Sequence, residues 1–187
     1  MKEKLVIGLA GMPGAGKSVV VNVARANDYS VVVMGDIVRK EAERRGLKPS
    51  PKNLGKIMLE LRQKEGNNVI AKRCIPKIEN TKEQKIIVDG IRSLSEVEEF
   101  KKHFQKFTLI AIQASPVTRF KRLYRRQRSD DPASWEIFQE RDRRESNVGL
   151  EQAIATAEHT IINEEEISTV KEKIKEVLRK VEQKWMK

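Results

Sequence analysis

Gly11-Met12-Pro13-Gly14-Ala15-Gly16-Lys17-Ser18 fits the pattern G-x-x-x-x-G-K-[ST] at every defined position. Its chemistry is the holding of phosphate. The glycines let the backbone turn tightly and aim successive amide N–H groups into one concavity, and the helix that follows presents its positive end to the same point. Lys17 then reaches the β- and γ-phosphates of a nucleotide, and the Ser18 hydroxyl is placed to coordinate the Mg²⁺ that bridges them. A second chemical group, Asp89, ends the apolar run Ile86-Ile87-Val88. A carboxylate at the carboxyl end of a strand is where α/β sheets bind ligands, so Asp89 is the expected second ligand to Mg²⁺, directly or through water. A plain cap of the next loop is the alternative. The third group lies in Val117 to Arg128, which carries Arg119, Lys121, Arg122, Arg125, Arg126 and Arg128 and no acid. Like charges at this density repel unless an anion lies between them. Ser115 and Pro116 suit the cap and first position of a helix there, and Arg119, Arg122 and Arg126 then share one face. A solvated basic helix, or a nucleic-acid patch, would use the same charges.

The elements that must position these groups are legible as five short apolar runs: Leu5 to Ala10, Tyr29 to Met34, Ile86 to Val88, Phe107 to Ile112 and Thr160 to Ile162. They alternate with helix-like stretches, the order of a parallel sheet covered by helices. Their near-continuous Val, Ile and Leu content is that of strands buried on both faces. Val19, Val20 and Val21 open the helix after the glycine-rich loop with β-branched residues of poor helix propensity, so tertiary packing must hold it. Gly46 to Pro51 reads as a turn inside an insertion. Beyond it, Leu54, Ile57, Met58 and Leu61 mark one face of a helix over Asn53 to Gly66, and Arg62 is its candidate phosphate contact. Ile167, Val170, Ile174, Val177, Val181 and Trp185 trace a closing amphipathic helix, with Thr169 and Glu172 spaced as a capping box.

The chain has 187 residues, the size of one domain. Lys and Arg total 38 against 27 Asp and Glu, a formal net charge of +11, and the charged fraction is 35%. An excess of Lys, Glu and Arg with few aromatics is the composition of proteins from hot environments. No apolar run reaches the ~18 residues of a membrane span, and the start lacks the pattern of a secretory signal, so a cytoplasmic location is expected. Cys74 is the only cysteine, which excludes a multi-thiolate zinc site and fits a reducing compartment. His103 and His159 have no visible ligand partners.

Gly11 to Ser18, Gly35-Asp36-Ile37-Val38-Arg39 and Asp89-Gly90-Ile91-Arg92 resemble the three successive signatures of adenylate kinase and other nucleoside monophosphate kinases. Ser115-Pro116 with Arg122 and Arg126, and Ala157 to Asn163 before the final helix, look more like dephospho-coenzyme A kinase. The combination is similar to an archaeal family of adenylate-kinase-like proteins. The resemblance covers nearly the whole chain. It implies an α/β fold of the P-loop type, with a five-stranded parallel sheet between helical layers. A helical acceptor-binding insertion would span 37–82 and a short mobile lid 118–135. By the same resemblance Arg39 and Arg92 would bind the acceptor's phosphate, Arg122 and Arg126 would hold the donor phosphates or stack near adenine, and Asn163 would line the adenine pocket. Ser129-Asp130-Asp131-Pro132 would pair with lid arginines or approach Mg²⁺.

The expected activity is transfer of the γ-phosphoryl of Mg-ATP to a nucleotide-like small molecule, a nucleoside monophosphate or a dephospho-coenzyme A-like acceptor. Asp36 separates the two chemistries. A phosphate acceptor is already anionic and needs no base, leaving Asp36 to cap a helix beginning at Ile37. A hydroxyl acceptor needs a carboxylate to take its proton. A nucleotide-binding switch or RNA-associated ATPase is the alternative from another class. It ranks second because the aromatics, two Tyr, two Trp and five Phe, show no interleaving with basic residues of the kind stacking surfaces use.

Overall fold

In a computed structural model that describes residues 3–128 and 131–185, five parallel strands form one sheet in the order β2-β3-β1-β4-β5. β1 (Leu5–Ala10) occupies the centre and is buried along its whole length. β3 (Lys85–Ile91) and β4 (Phe107–Gln113) flank it, and β2 (Ser30–Val33) and β5 (His159–Ile162) form the edges. Side chains alternate across the sheet, so each strand feeds two cores. Leu5, Ile7, Leu9, Ile87 and Ile110 face α1 (Lys17–Arg25) and α9 (Ile167–Trp185). Val6, Ile86, Val88 and Leu109 face the opposite layer, which holds α2 (Gly35–Arg44), α3 (Pro51–Glu65), α4 (Val69–Asn80), α5 (Leu94–His103) and the short α8 (Leu150–Ala155). α6 (Pro116–Arg126) and α7 (Trp135–Val148) follow β4.

Val20, Val21, Val23 and Ala24 of α1 are buried, so packing on the sheet and on α9 supplies what propensity withholds. α6 begins where the sequence indicates, whereas α3 begins at Pro51, two residues before the expected Asn53 and at the end of the expected turn, because Ser50 caps it. The Ser50 hydroxyl accepts from the Asn53 amide, and the Ser115 hydroxyl accepts from the Thr118 amide. α9 starts two residues before the expected cap at Thr169, with the Val170 amide bonded to the Glu166 carbonyl, and Ile167 is exposed rather than part of the core face. Leu178 joins Val170, Ile174 and Val181 in that face. Thr169 was read as a cap because its spacing to Glu172 matches, yet the carboxylate at Glu172 instead meets Lys175.

One irregularity places chemistry. The register of β1 against β3 runs in step from Leu5 opposite Lys85 to Leu9 opposite Asp89, then shifts so that Ala10 meets Ile91. Gly90, at φ 104, is the extra residue of this bulge. The bulge lets Asp89 and Arg92 emerge from the end of β3 with independent aims.

Candidate active site

The loop between β1 and α1 is a cradle of main-chain amides. The Ala15 amide bonds back to the Met12 carbonyl, and Gly14 and Gly16 take left-handed conformations at φ 82 and φ 99. Neither tolerates a side chain. A Cβ on Gly14 would sit 2.7 Å from the Arg119 carbonyl oxygen, and one on Gly16 would overlap the Asn163 amide nitrogen. Gly16 caps α1 without a side chain, so the first-turn amides remain free for an anion.

The Lys17 ammonium donates to the Gly11 carbonyl. Burial lowers its pKa to about 8; Asp89 and Glu145 pull it upward, while Arg92 and Arg141 push it down. Of the charges that act on Lys17, Arg92 and Glu145 stand 3.5 Å apart. Asp89 is pushed above the ordinary carboxylate range by burial, against the pull of Lys17 and Arg92. Its Oδ1 is buried with no hydrogen-bond partner. A buried carboxylate oxygen without a donor, close enough to Lys17 of the loop to feel its charge, fits a divalent cation that Asp89 and the Ser18 hydroxyl would hold. Among the described residues no cluster of three or more His, Cys, Asp or Glu is placed to hold a metal alone.

The three lid arginines expected on one anion-binding face part company. Arg122 lies on the loop, donating to the Ala15 carbonyl at 3.4 Å and to the Asn163 carbonyl at 2.9 Å. Arg119 is buried. It donates to the Pro13 carbonyl at 3.2 Å, makes a two-pronged pair with Asp142 at 2.8 and 2.5 Å, and lies over the Phe138 ring. Arg126 pairs with Asp131 at 2.6 and 2.9 Å, which holds that carboxyl below its ordinary range, and Arg141 adds its charge at 3.8 Å. Helical spacing puts the three side chains on one face, but the acids that meet Arg119 and Arg126 are supplied by α7 and by the loop before it. Of the acidic stretch expected to pair with lid arginines, Asp131 does so; Ser129 and Asp130 lie outside the described residues.

Asn163, expected along an adenine pocket, is buried with its amide against the Ala15 carbonyl, bracing the loop from β5. Arg92 stands 3.5 Å from Glu145 of α7, and its backbone amide donates to Glu96. Arg62, expected at an acceptor phosphate, is packed inward and pairs with Glu96 at 2.9 Å, while its Nε and Nη1 have no partner. Glu96 thus ties the insertion to the backbone that carries Arg92.

Asp36 is not the cap of its helix. α2 begins at Gly35 after Met34, with no side-chain cap, and Asp36 sits in the first turn, half exposed and 3.5 Å from Arg39. Both line an open groove of about 610 Å³ that continues past Lys40 and Lys77. The Met34 amide still bonds to the Asp89 carbonyl, continuing the β2–β3 ladder, and the helix begins at the next residue, which puts Asp36 in its first turn. Sequence reading missed Arg141, Asp142 and Glu145. Their signal was Phe138 with Arg141, Asp142 and Glu145 at three-and-four spacing, one face of a helix whose dense charge otherwise resembles a solvated surface.

The profile of the AAA domain family matches residues 10–139. A UPF0200 protein of Methanocaldococcus jannaschii is 45% identical over 95% of this chain and 90% of its own length, and one of Hyperthermus butylicus is 43% identical over 96% of each. A UPF0200/UPF0201 protein of Archaeoglobus fulgidus is 48% identical, and this chain spans 56% of that longer relative. Among solved structures, TT1252 from Thermus thermophilus superposes with a TM-score of 0.67 at 15% identity, covering 96% of this chain and 98% of that one. A shikimate kinase from Acinetobacter baumannii in complex with shikimate gives 0.60 at 13% identity, covering 98% and 96%. These likenesses are of fold, and they bear out the five-stranded parallel P-loop architecture with helices on both faces. With its phosphate cradle between β1 and α1, and relatives alike along nearly its whole length, the chain belongs to the UPF0200 family of P-loop proteins.

Proposed function

We propose that the protein is a Mg-ATP-dependent kinase that transfers the γ-phosphoryl group to a nucleotide-like small molecule, a nucleoside monophosphate or a dephospho-coenzyme A-like acceptor. The observation that carries this reading is the set of charges that act on Lys17 of the phosphate loop: Asp89, Arg92, Arg141 and Glu145, contributed by β3, the loop after it and α7, with Arg92 and Glu145 3.5 Å apart. Cations there match a transferred phosphoryl group, whose charge spreads over three oxygens. The further cation Arg39, beside Asp36 in the open groove, offers a place for an acceptor that water would not need.

In this scheme the loop of Gly11, Met12, Pro13, Gly14, Ala15 and Gly16 wraps the donor phosphates and holds them through its free main-chain N–H groups, of which Pro13 has none, with Lys17 on the β- and γ-phosphates. Ser18 and Asp89 hold Mg²⁺, which supplies charge neutralisation when bound. Arg122 reaches the donor side, and Arg126 follows once it leaves Asp131. Arg39 and Arg92 orient the acceptor, and Arg62 supports Arg92 through Glu96. The acceptor oxygen attacks the γ-phosphorus as the bond to the β-bridging oxygen breaks. Where the acceptor is a hydroxyl, its proton passes to Asp36, which makes no capping bond and pairs through Oδ1 with Arg39 at 3.5 Å. Among the described residues no helix is long and apolar enough to cross a membrane, in keeping with a small-molecule substrate met in water.

The test is substitution of Asp36 with acceptors of both kinds. Asp36→Asn is expected to reduce transfer to a hydroxyl acceptor by 10²-fold or more, as loss of a general base does, and to change transfer to a phosphate acceptor less than fivefold. A large loss with a nucleoside monophosphate contradicts the role given to Asp36.

A further inference from the structure

The six cations of residues 117–128 are only half used by the phosphate site. Arg119, Arg122 and Arg126 turn inward to Asp142, the loop and Asp131. Lys121, Arg125 and Arg128 are exposed, and none pairs with an acid among the described residues. α6 itself contains no acid to neutralise them. On the same outer stripe, Val117, Lys121 and Tyr124 follow one another at helical spacing, with Val117 and Tyr124 each 53% exposed.

Tyr124 is not a loose side chain. Its ring leans on Phe120 at 5.7 Å; Phe120 meets Trp135 at 5.3 Å and Phe138 at 5.6 Å, and Trp135 stacks on Phe138 at 5.1 Å. Four rings therefore form one cluster between α6 and α7, anchored by buried Phe138 and ending in an exposed ring set among cations. This corrects the sequence reading that no aromatic is interleaved with basic residues. Phe120 and Tyr124 stand within the basic run itself, and Trp135 and Phe138 reach them only through the fold.

We propose that the outer face of α6 binds single-stranded nucleic acid, with phosphates at Lys121, Arg125 and Arg128 and a base stacked on Tyr124. Unpaired cations are complementary to a phosphate backbone, and a flat ring held at its back accepts any base face. An acidic protein segment would use the cations but leave the rigid ring unexplained. The face points away from the phosphate loop, so the proposal stands whether or not the kinase reading does.

The experiment is fluorescence anisotropy of a labelled 12-nucleotide single-stranded RNA of mixed sequence, titrated with the full chain across a KCl series. Neutralising three phosphates gives a slope of log affinity on log salt of about −2, at ~0.7 per phosphate for single strands. K121E/R125E/R128E should lose at least tenfold in affinity and most of that slope. Tyr124→Ala should lose about tenfold with the slope unchanged, as removal of one stacked base does. Both variants should keep binding of a fluorescent ATP analogue, because none of the four residues touches the phosphate loop. Absence of RNA binding at low salt, or equal affinity and slope in the triple variant, overturns the proposal. So does loss of ATP-analogue binding in that variant. Displacement of the RNA by polyglutamate at matched charge overturns it in favour of an acidic protein partner.

Discussion

The Arg119–Asp142 pair is the joint on which the site's geometry depends, and removing one member should show it. Asp142→Leu leaves a guanidinium with a side-chain exposure of 6% and only the Ala114 and Pro13 carbonyls, each at 3.2 Å, as acceptors. Breaking a buried pair in this way costs about 3–5 kcal/mol, because the remaining charge is stranded out of water. For a domain of this size each kcal/mol moves the melting midpoint by ~2–4 °C. The loss should therefore be on the order of 10 °C in a thermal scan. Replacing both residues by leucine removes the stranded charge and should recover most of that stability, since buried pairs exchanged for apolar groups are near neutral. The double variant still lacks the donor to Pro13, which helps fix the loop, and the bond that sets the azimuth of α7 and hence of Arg141 and Glu145. It should stay folded yet lose phosphoryl transfer by about 10²-fold, with nucleotide affinity changed less. A single-variant cost below 1 kcal/mol, or full transfer activity in the double leucine variant, would refute the argument that this pair positions the site.

Other outcomes follow from the same geometry. Lys17 titrates near pH 8 in the free protein because burial disfavours its charge. Bound phosphate favours that charge and raises the pKa, so the complex holds more protons above pH 8. Nucleotide affinity measured by calorimetry should then be nearly level from pH 7 to 8 and fall by up to tenfold per unit above it. The free protein should meanwhile gain stability from this group between pH 8 and 10.5, where the unfolded chain holds the proton; affinity independent of pH to 10 contradicts the shift. Gly16→Ala forces a left-handed alanine into the Asn163 amide, so ATP-analogue binding should drop at least a hundredfold while the chain stays folded by circular dichroism. Asn163→Leu leaves the Ala15 carbonyl without its buried donor at 2.8 Å. It should lower the melting midpoint by several degrees, at ~1–3 kcal/mol per orphaned group, and a neutral result would show that the loop holds its shape unaided.

Local rules made the sheet and the phosphate loop readable, because each rests on contiguous residues. The apolar run Phe107 to Ile112 is buried throughout, and Gly14 and Gly16 take positive φ where a Cβ would clash with Arg119 and Asn163. What the sequence hid was pairing at a distance. Arg119 and Arg126 look alike, yet Asp142, 23 positions away, claims one and Asp131 the other. Arg62 shows the same effect through Glu96, 34 residues distant. Asp36 was misplaced by two turns of logic: a carboxylate before an apolar run suggests a cap, but the helix starts at Gly35, directly after the Met34–Asp89 backbone bond. The aromatic cluster escaped notice because its members are split between α6 and α7, which meet through Phe120, Trp135 and Phe138 as well as through the Arg119–Asp142 pair.

The central claim is transfer of a phosphoryl group to a small acceptor. It is tested most directly by γ-labelled ATP and Mg²⁺ with a panel of nucleoside monophosphates, dephospho-coenzyme A and hydroxylated metabolites, with Lys17→Ala alongside. The account predicts label in one acceptor class, absent with Lys17→Ala. Slow phosphate release that no acceptor changes would contradict it.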